Sequence, residues 1–321
     1  MKEIGGFFNL EINDGQEYHK NALKLNSARY CIEYILKLKK YKRIYIPKYI
    51  CNSVLQENIY EGVDVILYDL DYSLMPKVNR KMNSYEVLLF INYFGLNSDK
   101  INYVYQNYKN VIVDNTQSFY ELPYDGVDTI YSPRKFFGVP DGGYLYKNNT
   151  KEIKINRSYS YDNCQFLLKR IDVSANESYS LFKANEQRIA TDGMKKMSKL
   201  TEKILKGIDY DYCKKKREEN FQYLHSKLSR INELDIKCKT VNGPMIYPLL
   251  IQNQSLREYL IYNKIYVAKY WEDSLVRLNK NSYEAYFCNN LIPLPIDQRY
   301  GIKDMKNIIS IIGKKCDLLK R

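Results

Sequence analysis

The sequence contains few of the residues from which histidine-based catalytic and metal centres are built. Its 321 residues include only two histidines, His19 and His225, which lie far apart along the chain. A Ser-His-Asp triad needs a histidine between its two partners, and zinc sites usually take several histidine or cysteine ligands. The sequence therefore argues against both kinds of site, and we expect no bound metal.

Cysteine pairs with metal-binding or redox spacing are also missing. The seven cysteines are dispersed and form no C-x-x-C pair. An odd, scattered set is atypical of a disulfide framework, so we expect reduced thiols and a cytoplasmic location. The cysteines are Cys31, Cys51, Cys164, Cys213, Cys238, Cys288 and Cys316.

No apolar run is long enough for a membrane span. The longest runs, such as residues 87–91, fall far short of the roughly 20 residues that a transmembrane helix needs. Residues 1–14 carry acidic side chains where a signal peptide would have a long apolar stretch. A hydrophobic content of 45% is typical of a globular chain. We therefore expect a globular protein with two lobes and no membrane partner.

The formal net charge of +13 would suit a nucleic-acid partner. The basic residues are nevertheless spread along the chain, with small clusters at 37–43, 195–199 and 214–217, and no nucleic-acid-binding motif accompanies them. The 33 tyrosines, with abundant lysine, asparagine and isoleucine, are typical of an AT-rich genome. We assign most of the charge to solvated helix faces and expect no nucleic-acid partner. The remainder would suit an anionic small-molecule substrate.

The most informative segment is residues 111–143, VIVDNTQSFYELPYDGVDTIYSPRKFFGVPDGG. Its apolar start predicts a buried strand that ends at Asp114, and Gln117 follows three residues later. A second short strand, 128–132, precedes Lys135. A carboxylate and an amine after neighbouring strands of a parallel sheet would lie at the same edge, where ligands bind.

These residues resemble the DegT/DnrJ/EryC1/StrS family of fold-type I pyridoxal-phosphate enzymes, the sugar aminotransferases. Enzymes of that family carry D-x-x-Q/H at the end of one strand and a Schiff-base lysine after the next. An acidic residue and two glycines follow the lysine at the offset seen here for Asp141-Gly142-Gly143. The resemblance spans most of the chain but is specific only in these two segments, which indicates a divergent, short member.

The resemblance implies roles for the central residues. Lys135 would hold pyridoxal phosphate as an imine, and desolvation and a cationic neighbour such as Arg134 would favour its neutral amine. The Asp114 carboxylate would keep the ring nitrogen protonated, and Gln117 would reach the ring hydroxyl or face. Pyridoxamine phosphate would form during turnover.

Further residues are assigned by the same resemblance. Ser27, Ala28 and Arg29 open a predicted helix where the family binds the cofactor phosphate, with Ala28 and Arg29 replacing a glycine and a threonine. Ser132 would also contact the phosphate, Tyr49 or Cys51 would contact the ring, and Tyr93, Arg134 and Asn185 are substrate candidates. The family's neighbouring-subunit phosphate ligand is an asparagine, for which Asn185 is the candidate, and the expected assembly is a homodimer.

Alternating patterns predict the domain organisation. Segments 43–47, 63–70 and 87–92 read as strands, and 50–60 and 99–108 as helices. We predict an α/β domain with a mainly parallel sheet over 1–205 and a smaller C-terminal α+β domain over 206–321. Within the latter we expect helices at 212–234 and 303–319 and a short strand at 265–267.

The resemblance implies an aminotransferase that moves an amino group from glutamate to a nucleotide-linked keto sugar. Two alternatives remain open at the level of sequence. Fold-type I scaffolds also catalyse lyase-type reactions, because fold does not fix function. A non-catalytic relative acting as a binding or regulatory subunit is the other alternative, which the altered phosphate segment motivates and the retained Lys135 opposes.

Overall fold

An eight-stranded, mainly parallel sheet forms the centre of the protein. The computed structural model describes residues 4–236, 241–253 and 255–316. The strands are β1 (Leu23–Leu25), β2 (Arg43–Pro47), β3 (Asp64–Leu70), β4 (Pro76–Lys77), β5 (Glu86–Ile91), β6 (Val111–Asp114), β7 (Asp128–Tyr131) and β8 (Gly143–Tyr146). Their order in the sheet is β1-β8-β7-β6-β5-β2-β3-β4. Strands β3, β2, β5, β6 and β7 run parallel, and β8 is antiparallel to β7.

Burial of the central strands on both faces explains their composition. Every residue of β5 and β6 is buried, as expected where helices cover both sides of a parallel sheet. The helix α1 packs against β7 and β8, and α2 against β6. The helices are α1 (Ala28–Lys39), α2 (Ile101–Asn107), α3 (Gln165–Asp172), α4 (Ala175–Thr191), α5 (Lys199–Lys206), α6 (Tyr210–Leu228), α7 (Leu256–Tyr262), α8 (Tyr283–Asn290) and α9 (Ile302–Gly313). The predicted α/β class is confirmed.

The C-terminal part has its own small sheet and core. Strands β9 (Ile246–Leu250) and β10 (Leu291–Pro295) pair antiparallel, with Pro293 opposite Pro248. Helices α6, α7 and α9 enclose them around a second apolar cluster that runs from Phe221 to Cys316. All members of this cluster follow residue 205, and the domain boundary itself stays a prediction.

Two predicted elements are wrong. Residues 50–60 form two short 3-10 turns, Asn52–Val54 and Glu57–Ile59, and no α-helix. In the second segment, Ile265 and Val267 are buried and Tyr266 is exposed, as in a strand, but these residues belong to no strand. The last helix ends at Gly313, and residues 317–319 of its predicted span lie outside the described residues. At the start of the first segment, Arg277 from the C-terminal lobe binds the carbonyls of Lys48 and Ile50.

The described residues show no metal cluster and no membrane-spanning helix. The described ranges contain no group of three or more histidine, cysteine or acidic side chains that could hold a metal ion. Cys31, Cys51, Cys164, Cys213 and Cys288 are free thiols, and Cys238 lies outside the described residues. None of the helices built from these residues is both long and apolar enough to cross a membrane.

Candidate active site

The carboxyl ends of the parallel strands bring most of the predicted residues to one edge of the sheet. Asp114 is the last residue of β6, and Ser132 follows the neighbouring strand β7. Lys135 ends the 3-10 turn Pro133–Lys135 that comes next. The crevice above such an edge is the usual ligand site in α/β folds.

Lys135 lies in this crevice with its amine held in place. Its Nζ donates a hydrogen bond to Thr116 Oγ1 at 2.8 Å. The side chain is accessible to solvent, yet the surrounding protein replaces much of its hydration. This desolvation lowers the pKa of the Lys135 ammonium; the Asp114 charge raises it again, and Arg134 lowers it further. The result is an amine that a carbonyl compound can reach and that is more often neutral than a surface lysine.

Asp114 lies beside this amine and is itself 5% exposed. Its Oδ1 accepts a hydrogen bond from the Thr116 N–H at 2.8 Å. The described residues donate no hydrogen bond to Oδ2. A carboxylate oxygen without a donor is suited to a protonated ring nitrogen or another cationic donor from a ligand.

Gln117 stabilises the turn that follows β5. It is buried, and its Oε1 accepts a hydrogen bond from the Phe94 N–H at 2.7 Å. Phe94 and Gly95 have φ values of 58° and 77°, in the left-handed region, so this bond holds a strained turn after β5. A direct contact between Gln117 and a cofactor stays a prediction.

The predicted phosphate segment lies against the glycine pair after Lys135. Ser27 is the N-cap of α1, makes no capping hydrogen bond through its side chain, and pairs through its backbone with Gly142. A Cβ on Gly143 would lie 2.6 Å from the Ala28 nitrogen, so only glycine allows this approach. The two motifs that the sequence singled out are therefore in direct contact.

Tyr49 and Tyr93 pack into the interior. Tyr49 is 0% exposed, and its hydroxyl donates to the Tyr270 carbonyl at 3.2 Å. The ring contacts Tyr93 and Trp271, with centroids 5.9 and 4.9 Å away, and Tyr93 donates to the Tyr49 carbonyl. In this arrangement neither tyrosine presents a free face to a ligand. Their contacts with cofactor and substrate stay predictions.

Cys51 is the half-buried member of the same loop, and it interacts electrostatically with both Lys135 and Arg29. Ser132 is buried beside Pro133 and caps the turn that carries Lys135. Both residues therefore lie near Lys135, and their contacts with a cofactor stay predictions.

Asn185, on α4, forms hydrogen bonds with other residues of its own chain. Its amide nitrogen donates to the Pro140 carbonyl at 2.8 Å, and its oxygen accepts from the Arg188 guanidinium. The next residue, Glu186, forms an ion pair with Arg134. A role for Asn185 in a neighbouring subunit would require it to give up these bonds, and that role stays a prediction.

Sequence reasoning missed two residues that shape the site. Thr116 stands inside the D-x-x-Q stretch, but a threonine there carries no signal of its own. Arg277 donates to the carbonyls of Lys48 and Ile50 and to Asn52 Oδ1, and so fixes the loop that carries Cys51. Because Arg277 is 225 residues from Asn52 along the chain, no local pattern could reveal this clamp.

A cavity of about 920 Å³ lies between α4 and the C-terminal part of the chain, and its lining includes Tyr179, Tyr266 and Arg299. Lys135 and Asp114 do not line it. The chemistry of this amine and carboxylate, and not a cavity, therefore defines the candidate site.

The strand order, with β8 antiparallel to the five central parallel strands, is that of a fold-type I pyridoxal-phosphate transferase fold. No family model matches the sequence, and no curated protein matches it. Solved structures do match. A DegT DnrJ EryC1 StrS aminotransferase from Brucella abortus has a TM-score of 0.62 and 12% identity, covering 91% of this chain and 85% of that one.

Two further structures give the same result. Spr1654 from Streptococcus pneumoniae, assigned as a sugar aminotransferase and solved in its pyridoxamine-phosphate form, has a TM-score of 0.59 and 15% identity. The match covers 94% of this chain and 88% of that one. PseC from Helicobacter pylori, an aminotransferase involved in the biosynthesis of pseudoaminic acid, has a TM-score of 0.57 and 12% identity. This match covers 91% of the present chain and 86% of PseC. At such identities the matches establish the fold.

Proposed function

We propose that this protein is a pyridoxal-phosphate-dependent aminotransferase that transfers an amino group from glutamate to a nucleotide-linked keto sugar. The observation that carries the proposal is the placement of the Lys135 amine beside the Asp114 carboxylate at the carboxyl edge of a fold-type I sheet. The reaction would serve polysaccharide or secondary-metabolite biosynthesis in the cytoplasm.

The residues present fit pyridoxal phosphate. The cofactor needs an amine that reaches its carbonyl, an acceptor for its ring N–H and donors for its phosphate. Lys135 Nζ is accessible, and Asp114 Oδ2 has no donor among the described residues. The first turn of α1 begins at Ala28, close to the Lys135 loop, and a helix N-terminus offers unpaired N–H groups to an anion.

When bound, the cofactor supplies a carbonyl for covalent attachment and a ring that withdraws electrons from the substrate carbon. Lys135 Nζ would hold the cofactor through that carbonyl and, as a free amine, would carry a proton to and from the reacting carbon. Asp114 would keep the ring nitrogen protonated. Thr116 orients both groups, because its hydroxyl accepts from Lys135 and its N–H donates to Asp114.

The structural neighbours and the net positive charge of the chain support a nucleotide-linked keto sugar as the amino acceptor. Several neighbours are sugar aminotransferases by description, and PseC acts in pseudoaminic acid biosynthesis. The net charge of +13 suits a substrate that carries a diphosphate. A homodimer is part of the proposal, since the family that the chain resembles completes its phosphate site from a neighbouring subunit.

The test is a half-reaction followed by an acceptor panel. The protein loaded with pyridoxal phosphate is mixed with glutamate, and 2-oxoglutarate and pyridoxamine phosphate are quantified. One equivalent of each per active site is expected, with none from Lys135→Ala. Nucleotide-linked keto sugars are then added, and the aminated sugar is detected by mass spectrometry. Failure of glutamate and of every other amino acid to yield a keto acid would overturn the proposal.

A further inference from the structure

Arg29 is a buried cation that pairs with no carboxylate in the described ranges of the chain. It is 8% exposed, and its only described hydrogen bond goes to the neutral Gln56 Oε1 at 2.8 Å. No carboxylate of the described residues forms an ion pair with it or acts on its pKa, which burial lowers. Arg29 also lies in the first turn of α1, which contains no acidic residue. A cation there faces the positive end of the helix dipole, so both burial and the dipole oppose it.

Arg134 places a second guanidinium in the same region. Its side chain is 14% exposed and forms an ion pair with Glu186 on α4. Its Nε is buried without a hydrogen-bond partner among the described residues. Desolvation and the neighbouring charge of Arg29 lower the pKa of Arg134 to about 10; Asp141 opposes this shift, and Arg188 adds to it. Two buried arginines therefore repel one another beside Lys135.

The other charged residues nearby do not neutralise the excess positive charge of Arg29 and Arg134. Arg188 has its own partner, Asp192, at 2.6 Å. Asp141 accepts hydrogen bonds from Ser198 and Thr201 and forms no ion pair among the described residues. Within the described part of the chain, Glu186 is thus the single carboxylate paired with the two guanidinium groups, so one of their two charges has no paired carboxylate there.

The uncompensated charge belongs to the candidate active site. Arg134 interacts electrostatically with Lys135, and Cys51 interacts with both Lys135 and Arg29. Backbone contacts place the two arginines near this amine: Ser27, the N-cap before Arg29, pairs with Gly142, and a Cβ on Gly142 would lie 2.7 Å from Pro133 Cγ, in the turn that carries Arg134 and Lys135. A phosphate monoester carries close to two negative charges at neutral pH, with a second pKa of about 6. Guanidinium groups bind such oxyanions through paired N–H donors.

We propose that Arg29 and Arg134 together bind one phosphate monoester dianion at the first turn of α1, and that Glu186 is the internal counterion that this dianion displaces from Arg134. The inference rests on the proposed function, since it takes the dianion to be the phosphate of pyridoxal phosphate. It assigns phosphate recognition to two cations, where the family that the chain resembles has a glycine and a threonine beside a serine.

The test compares pyridoxal phosphate with pyridoxal, which lacks the phosphate. Dissociation constants are measured from the absorbance of the covalent adduct with the wild type, Arg29→Gln, Arg134→Gln and Glu186→Gln. Each arginine substitution is expected to weaken binding of pyridoxal phosphate by about 10- to 100-fold, the usual value of a charged hydrogen bond. Arg29→Gln should leave pyridoxal unchanged. Arg134→Gln should weaken pyridoxal phosphate more than pyridoxal, because Arg134 also lowers the pKa of the Lys135 amine that forms both adducts. Glu186→Gln is expected to tighten pyridoxal phosphate severalfold. Arg157→Gln, which removes a cation paired with Glu202, is the matched control and should change neither.

The outcomes separate this inference from the proposed function. If the wild type forms the adduct but the arginine variants bind pyridoxal phosphate normally, the phosphate site is wrong and the proposed function stands. An unchanged affinity in Glu186→Gln overturns the displacement. If the wild type forms no adduct with either compound, the proposed function fails, and calorimetry with inorganic phosphate decides the anion site: saturable binding that Arg29→Gln loses supports it, and no binding overturns it. Circular dichroism checks folding, with Arg134→Lys as the milder variant.

Discussion

Lys135 Nζ and Thr116 Oγ1 are joined by a hydrogen bond of 2.8 Å, which connects the loops that follow β7 and β6. The Thr116 N–H in turn donates to Asp114 Oδ1. One threonine therefore fixes the amine and the carboxylate relative to one another. These two groups would attach the cofactor and hold its ring-nitrogen proton, so their spacing decides whether both can act on one ring.

Asp114→Asn should separate attachment from chemistry. The variant keeps the Lys135 amine, so the covalent adduct with pyridoxal phosphate should still form. Amine transfer from glutamate should fall by about 100-fold or more, because an amide does not hold the ring-nitrogen proton. Rapid-mixing absorbance measures both steps. Asp64→Asn, which alters an exposed ion pair on β3, is the control; equal rates in the two variants would contradict the role of Asp114.

Asp114→Asn should also shift the pH dependence of adduct formation at Lys135. Asp114 raises the pKa of Lys135, so its removal leaves a lower pKa and a neutral amine at lower pH. The midpoint of adduct formation against pH should therefore shift downward in Asp114→Asn. Initial rates with pyridoxal between pH 6 and pH 10 give the midpoint. A midpoint that stays in place or rises would show that Asp114 does not act on this amine.

Gly142 should tolerate no side chain. Its φ of +130° is unfavourable for other residues, and a Cβ would lie 2.7 Å from Pro133 Cγ. We expect Gly142→Ala to lower the free energy of unfolding by about 1–3 kcal/mol and to weaken cofactor binding, because Pro133 leads into the Lys135 turn. Gly313→Ala is the matched control, since a Cβ there meets nothing within 4 Å. Urea unfolding compares them, and equal stability would refute the packing argument.

His19 should make the protein acid-sensitive. It is buried, donates from Nε2 to the Phe119 carbonyl at 2.8 Å, and burial lowers its pKa to about 4. Its unfolded pKa is about 6.5, so the stabilising contribution of the neutral ring is complete above pH 6.5 and is lost as pH falls toward 4. Between pH 7.5 and 5 this loss is about 2 kcal/mol.

The measurement is urea unfolding at both pH values. His19→Gln should lose about 2 kcal/mol less than the wild type on acidification, because it lacks the titrating ring. His225→Gln, which removes the second histidine, serves as the control for a general effect of substitution. Identical pH dependence in the wild type and His19→Gln would contradict the account of His19.

The sequence predicted the sheet because its central strands are continuous apolar runs, and the site because Asp114 and Lys135 follow neighbouring strands. Residues 50–60 read as a helix from their apolar spacing, but Arg277 binds the carbonyls that open this segment. β10 was missed as a strand because of its two prolines, which the two-stranded sheet accommodates by placing Pro293 opposite Pro248.

Long-range partners account for most of what local patterns could not show. α4 was missed because several of its apolar side chains, including Tyr179 and Phe182, are exposed and produce no core-facing periodicity. The ion pair between Glu186 on α4 and Arg134 forms only once the chain has folded. The enclosure of Tyr49 by Tyr93 and Trp271 likewise depends on residues from both lobes.

Borohydride trapping followed by peptide mass spectrometry tests the central claim most directly. The purified protein is incubated with pyridoxal phosphate, reduced and digested, alongside Lys135→Ala and Lys135→Arg. The account predicts a phosphopyridoxyl group on the Lys135 peptide of the wild type, together with loss of its long-wavelength absorbance on reduction, and neither in the two variants. A wild type without modification, or one modified equally at other lysines, would contradict the assignment of Lys135 as the cofactor's attachment site.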